Sequence, residues 1–390
     1  MALRHADRLL DGHLSRLRGL PAHGNRTLHF DQLFLGLLLS FFDPMIRSLR
    51  LIEGAGDFSG RLDLPRLARS TTADALKVFD PAHLKPIIND LRQRIPSLAH
   101  QDANLQAITR RIIAADGTYL NTICDVAWAL RHRKRDGKPQ AQVRCNMQMD
   151  AATWCPQVLT VSGDDGHSEP AAFAADLMQD VLYVVDRNFL DFGFLNAVLE
   201  HDSDFVLRVR SNAPAVRVVR TVPLTTADAE AGVVADEIVE LTGIGAPAGQ
   251  FRRVTIVTTD RTGQVSTIRL LSSLRDTAAV AARVIGAVYR QRWQIELFFK
   301  WLKCWARMDH LLSTSRSGIT FQLYVAIIAV LMMYVQSGRR VSIYALAVLG
   351  RVANGQMSLE QAMAVIAKRE RERELDRLRQ ARRRARKKMA

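Results

Sequence analysis

The chain has 390 residues, 48% of them hydrophobic and 24% charged, with a formal net charge of +15. That length and apolar content suffice for two or three domains with cores of their own, which excludes a disordered tail or a small disulfide-stapled peptide. The excess of positive charge goes beyond what solubility requires. It points to a polyanion, either nucleic acid or an anionic membrane surface, and does not by itself separate the two.

Met1 to Leu20 carries no continuous apolar stretch and no small-residue cleavage signature, so no secretory signal is read there and the default compartment is the cytoplasm. Residues 1 to about 105 have apolar positions at helical spacing, broken at Asp43-Pro44, Asp80-Pro81 and Ile95-Pro96. Within them, LPRLARSTTADALKVFD and PAHLKPIINDLRQRI read as two helices, the first capped by Ser70 or Thr71. They form either a helix-turn-helix or an ordinary helical hairpin. The apolar runs Leu33 to Phe42 and Leu323 to Val335 are shorter than the roughly 18 to 20 residues that span a bilayer. Both read as buried core helices, and no membrane partner is expected. The cysteines, Cys124, Cys145, Cys155 and Cys304, lack a CxxC pair and read as reduced and structural.

From Arg111 the texture changes. IIAADGTYL, AQVRCNMQMD and PQVLTVS read as strands, EPAAFAADLMQD as a crossover helix, VLYVVD as a strand, DFGFLNAVLEHD as a helix and FVLRVR as a strand. Three strands, helix, strand, helix, strand is the order of a ribonuclease H-like domain. Residues 211 to about 276 hold period-two segments between Gly, Asp and Ala-rich turns and read as a β-rich insertion. A long helix is expected from about Thr277 to Ala306, an apolar helix from about Gly318 to Gln336, and a basic helical tail that frays at its end. The predicted fold class is therefore α/β. A helical DNA-binding domain (1–105) leads into a ribonuclease H-like core in two parts (106–210 and 277–340), interrupted by the insertion (211–276) and followed by a C-terminal helical region with a basic tail (341–390).

The strongest chemical signal is Tyr289, Arg292, Glu296 and Lys303 in VYRQRWQIELFFKWLKCW. At about 100° per residue these four fall within an arc about 60° wide, on one face of one helix. Ile295, Phe298, Trp301, Leu302 and Trp305 lie opposite, so the helix is expected to be packed by its apolar side with a polar stripe left over. A solvated charged stripe is the alternative. Tyr-x2-Arg-x3-Glu-x6-Lys resembles the signature of the insertion-sequence-four family of DDE transposases. Asp116-Gly117-Thr118 and Asp186-Arg187-Asn188-Phe189 are similar to that family's two strand-end Asp motifs. Asn188 stands where the commoner form has Gly, and Asn tolerates a left-handed turn. A lone Asp after a strand is usually a helix cap or turn residue. The triple together with the helix motif favours the resemblance.

The resemblance implies a DNA transposase that cleaves at element ends and transfers the strand into target DNA by cut-and-paste. Asp116, Asp186 and Glu296 would be the catalytic residues and the ligands of two Mg²⁺ ions, with Mn²⁺ as substitute. Independently, hard divalent cations prefer oxygen ligands, and paired ions suit phosphodiester cleavage. Tyr289, Arg292 and Lys303 would bind DNA, the last two by holding phosphates. Lys300, Arg252, Arg253, Arg208 and Arg210 could line the DNA path, or be solvated surface charges, and His310 could touch DNA or act locally. The implied partners are double-stranded DNA, as terminal inverted repeats and target, and a second copy of the chain in a paired-end complex. The implied location is the bacterial cytoplasm at the nucleoid. In some relatives a flipped base stacks on a Trp of the insertion; no Trp lies between Trp154 and Trp293, so that contact does not carry over and, if bases are flipped here, another side chain must stack. Two other readings remain: a catalytically silent DNA-end-binding protein derived from a transposase, which loss of a carboxylate would mark, and another ribonuclease H-like nuclease.

Overall fold

The computed structural model describes residues 2–21, 28–42, 48–54, 67–95, 103–122, 126, 128–133, 139–164, 168–210, 216–259, 263–304, 308, 311–337, 344–345, 348, 351 and 356–389. The Pro44 and Pro96 breaks, Cys124, Trp305 and His310 lie outside the described residues. The chain forms two compact units, one of Met1–Pro96 with Cys304–Ala390 and one of Ser97–Lys303. The segment expected to stand alone at the N-terminus thus shares its unit with the C-terminal helices. Periodicity shows which face of a helix is apolar but not which distant helix will cover it.

The helical unit opens with α1 (Ala2–Arg18), α2 (Phe30–Phe42), α3 (Leu49–Gly54), α4 (Arg69–Val78) and α5 (Lys85–Gln93). The expected cap at Ser70 or Thr71 is not made: α4 begins at Arg69, its N-cap is Ala68, and no side chain caps it. A short 3-10 turn, Pro81–Leu84, joins α4 to α5 and is capped by Asp80, whose carboxylate accepts from Ala82 N–H at 2.9 Å.

The second unit is built on a mixed sheet of ten strands: β1 (Arg111–Thr122), β2 (Leu130–Arg133), β3 (Pro139–Asp150), β4 (Pro156–Ser162), β5 (Val181–Val185), β6 (Asp204–Val209), β7 (Val216–Thr221), β8 (Val233–Leu241), β9 (Gln250–Thr259) and β10 (Val265–Ser272). The hydrogen-bonded order is β2-β3-β1-β5-β6-β10-β9-β8-β7, with β4 on β3. β1, β5 and β6 are mutually parallel, and β3 is antiparallel to β1. The short β2 was not foreseen. Its helices are α6 (Glu169–Ala174), α7 (Phe192–Glu200), α8 (Thr226–Glu230), α9 (Ala282–Gln291) and α10 (Trp293–Cys304).

All five residues of β5 are buried, as a central parallel strand requires. Leu182 and Val184 join Ile112 and the α9 residues Val284, Ile285 and Val288 in one core layer. Val181, Tyr183 and Val185 face the other layer, with Ile113, Ala115, Phe173 of α6, and Phe194 and Leu195 of α7.

The β-rich stretch continues the central sheet: β10 pairs antiparallel with β6 from Arg269↔Val209 to Ser272↔Val206. It also seats α9. Asp228 of α8 accepts from the Arg283 backbone N–H at 2.9 Å, and buried Arg252 donates to Val280 O while pairing both carboxylate oxygens of Asp236 at 2.9 and 2.6 Å. Arg252 is therefore a structural ion pair and not part of a DNA path. Of the other basic residues considered for that path, Arg253 pairs with Glu237 and Arg210 donates to Asn188 Oδ1. Asn188 lies in a right-handed 3-10 turn, Arg187–Phe189, so the left-handed tolerance invoked for it is not used.

The chain closes in the helical unit with α11 (Arg316–Ser337) and α12 (Leu359–Met389). By length and composition α11 could cross a membrane, being longer than its most apolar stretch suggested, yet 83% of its apolar window is buried. It packs on α2, α4 and α5. Phe321 meets Phe30 at 5.3 Å, and Ser317 Oγ donates to Phe79 O at 2.8 Å. It is the core of the unit. Cys145 and Cys155 are buried and form no disulfide among the described residues.

Candidate active site

The last paired residues of β1 and β5 are Ala114 and Val184. Asp116 and Asp186 each lie two residues further on, at matching positions where β5 has ended and β1 continues. Asp186 begins the 3-10 turn, but its side chain makes no cap hydrogen bond. The ordinary duty of an Asp after a strand is thus not performed here. It falls to Asp191, whose carboxylate caps α7 through Phe194 N–H at 2.9 Å.

The expected long helix is two helices, broken at Arg292. Arg292 N–H donates to Tyr289 O and Ile295 N–H to Arg292 O, both 3.1 Å, so the backbone tightens to three-residue spacing at that point. Tyr289, Arg292 and Glu296 consequently interact across the break, and the four motif residues do not share one continuous helix face. The apolar side of α10 is as expected, with Ile295, Phe298, Trp301 and Leu302 buried.

Arg292 joins the acids. Its Nη1 donates to Asp116 Oδ2 at 3.4 Å and its Nη2 to Glu296 Oε1 at 2.6 Å, with side-chain exposures of 13% for Arg292, 19% for Asp116 and 34% for Glu296. Its Nε is buried with no aligned hydrogen-bond partner among the described residues. The guanidinium carbon lies 5.7 Å from the Tyr289 ring centroid. Tyr289 packs partly on the α9 core layer, and its hydroxyl is buried without an aligned partner among the described residues. Burial pushes the Tyr289 phenol up, against the pull of Arg292. Burial also works against the Arg292 charge, but Tyr289, Glu296 and Asp186 outweigh it and raise its pKa. Lys303 comes close enough to Cys145 of β3 to oppose the rise of that buried thiol to about 12.

Burial raises the Asp116 carboxyl to about 7. Arg292 opposes the shift, while Glu169 and Asp186 add to it. Glu169 is the residue that sequence reading missed. It opens α6, and its carboxyl is also raised, first by burial, with Arg144 opposing and Asp186 adding. A Glu in the first turn of a helix reads as an ordinary partner of the helix dipole, so nothing local singled it out. Three carboxylates, Asp116, Asp186 and Glu296, therefore interact with one guanidinium, and Glu169, which has Arg144 as its own cation, interacts with Asp116 and Asp186. Among the described residues no three of them converge closely enough to hold a metal ion as they stand, and the guanidinium stands between two. As a donor set they still fit a hard divalent cation, since all are oxygen ligands.

Residues 107–332 match the Transposase DDE domain family, and the chain belongs to it. Among its relatives, a Sinorhizobium fredii protein named as transposase y4zB is 28% identical over 222 residues, covering 56% of this chain and 58% of the relative. A Synechocystis protein named as the transposase of insertion sequence element IS4SA is 23% identical over 79% of this chain and 81% of its own length. One named for insertion sequence element IS5377 of Geobacillus stearothermophilus is 24% identical over 60% and 59%. The cryo-EM structure of the piggyBac transposase synaptic complex with hairpin DNA aligns over 90% of this chain and 78% of its own, at 12% identity and a TM-score of 0.41.

Proposed function

We propose that this protein is a DNA transposase with a ribonuclease H-like core that cleaves DNA at the ends of its element and joins them to target DNA. The observation that carries the reading is the meeting of Asp116 and Asp186, from matching ends of two parallel strands, with Glu296 through the shared Arg292. Asp116, Asp186 and Glu296 would hold Mg²⁺ (two ions, with Mn²⁺ as substitute), which when bound activates the attacking oxygen and stabilises the leaving one. Arg292 neutralises Asp116 and Glu296 and offers a planar fork to a DNA phosphate, which would draw it from the acids as substrate arrives. Lys303 adds a point charge about two turns further along α10 than Glu296, and Tyr289 offers its hydroxyl, beside Arg292, to a phosphate or sugar. The net charge of +15 suits double-stranded DNA, and joining two ends calls for a second copy of the chain. The bacterial cytoplasm, at the nucleoid, is the compartment this activity requires.

The test is nicking of DNA that carries the element's own ends. Asp116→Ala, Asp186→Ala and Glu296→Ala each abolish Mg²⁺-dependent nicking while end binding persists; full cleavage by any one removes the assignment. Arg292→Gln reduces nicking with metal affinity kept or raised, and Arg292→Lys recovers only part of the loss. Recovery of the Arg292→Gln variant simply by raising Mg²⁺ would place this residue in metal holding instead of DNA positioning.

A further inference from the structure

At Gly117, the neighbour of Asp116, a side chain would displace the end of the Glu169 side chain. A Cβ there would meet Glu169 Oε1 at 2.2 Å and Asn146 Oδ1 at 3.3 Å. Glycine at 117 therefore leaves space that the Glu169 carboxylate fills. The Gly117 N–H donates to Asp116 Oδ1 at 2.8 Å and is also shared with Glu169, so two carboxylates flank one donor. They come from opposite sides. Asp116 has the parity of Ile112, which packs toward α9, whereas Gly117 has the parity of Ile113 and Ala115, which pack with Phe173 of α6.

The Glu169 position is built. Ser168 caps α6 by accepting from Ala171 N–H at 3.4 Å, and Pro170 fixes the first turn. Buried Arg144 lies close enough to attract the carboxylate, but Asp116 and Asp186 both lie close enough to repel it. Asn146, paired opposite Gly117 on β3 and 2% exposed, has an Oδ1 with no hydrogen-bond partner among the described residues. Its Nδ2 is occupied by Ser162 Oγ at 3.2 Å. Beside the two groups that favour its charge, Arg144 and the Gly117 N–H, this carboxylate also lies near two other acids and an unpaired amide oxygen, a surplus of oxygen ligands that a divalent cation completes.

We propose that Glu169 is a fourth acidic metal-holding residue, approaching from the α6 side of β1 with Asn146 Oδ1 and meeting Asp116 at the Gly117 N–H that the two carboxylates share. This rests on the metal-dependent reading above. The test is Mn²⁺ binding to the full-length protein, followed by the electron paramagnetic resonance of free Mn²⁺, together with melting temperatures with and without the ion. Glu169→Gln is expected to weaken binding about tenfold or more, as loss of a metal-supporting group does. It should also cut the Mn²⁺-induced gain in melting temperature while leaving the metal-free value unchanged or higher. Glu169→Asp, which keeps the charge on a shorter arm, should fall between the two and serves if the Gln variant folds poorly. If Asp116→Asn loses Mn²⁺ and both Glu169 variants bind it as the wild type does, the proposal is overturned and the three-acid site stands. A Glu169→Gln variant that melts lower without metal yet keeps its Mn²⁺ affinity makes Glu169 a structural partner of Arg144, which also overturns it. If Asp116→Asn binds as the wild type does, the metal reading itself fails and takes the proposal with it.

Discussion

Two arginines in the sheet unit meet carboxylates in opposite ways. Arg252, 1% exposed, gives both arms of its fork to one acid, Asp236, and a further hydrogen bond to Val280 O. Arg292, 13% exposed, divides its fork between two acids, one at a long 3.4 Å, and its Nε has no aligned partner among the described residues. The first pair is closed: each of the three guanidinium nitrogens donates a hydrogen bond, and entry there carries a large desolvation cost. The second is looser, since its two acids each hold one arm and both are partly exposed. The same residue types thus form a closed fastening in one place and, on the proposed reading, an exchangeable contact in the other, and the difference lies in how the fork is divided.

The largest effect that would break this comparison is on folding. Arg252→Met leaves Asp236 buried without its partner and is expected to lower stability by about 3–5 kcal/mol in urea unfolding, whereas the double replacement with Asp236→Leu recovers most of it. At Arg292 the same substitution should cost no more than about 1–2 kcal/mol, because its half-open acids can hydrate or take up a proton. Equal losses at the two sites would abolish the distinction.

A middle-sized effect comes from pH. Asp116 titrates near 7 in the folded protein against 3.8 as its ordinary value, so the folded state binds the extra proton between those two values. Stability of the metal-free protein must then fall as pH rises from about 4 to about 7 and level off above. Asp116→Asn has no such proton to lose. Relative to wild type it should gain about 1–3 kcal/mol at pH 8 and nothing near pH 4, read from melting curves taken with chelator. A constant difference across that range would show that the Asp116 carboxyl is not strained by burial. The smallest effect belongs to a third arginine, Arg217, whose pairing with Glu240 is exposed. Arg217→Ala should leave the urea-unfolding midpoint almost unchanged, and the difference should shrink further in high salt.

Much of the site was legible because strand and motif signals are local. VLYVVD is apolar throughout, as a strand covered on both faces must be, and Asp116 and Asp186 follow such runs directly. What was not legible depends on distance. The break at Arg292 hides inside unbroken apolar spacing from Ile285 to Leu302, and only the loss of one step in the hydrogen-bond ladder reveals it. Arg252 reads as a surface charge in a period-two strand, because its burial depends on Asp236 of the neighbouring strand. Glu169 has no local signature at all; its meaning comes from Gly117, which only the crossover of α6 over β1 brings near.

The manner in which the β-rich stretch seats α9 bears on when a new chain becomes competent. Asp116 and Asp186 leave the ribosome first and reach their places once β1, β5 and β6 have paired. Glu296 follows much later, and the helix before it is anchored by Asp228 and Arg252, which belong to the intervening strands and turn. Those strands must close onto β6 through β10, a contact between distant parts of the chain and therefore slow to form. Until it forms, the two strand-end acids have no third partner. A nascent or cleaved chain that stops within the β-rich stretch lacks both Glu296 and the seat of α9, so the acids of the proposed site come together only once the residues through α10 have been made.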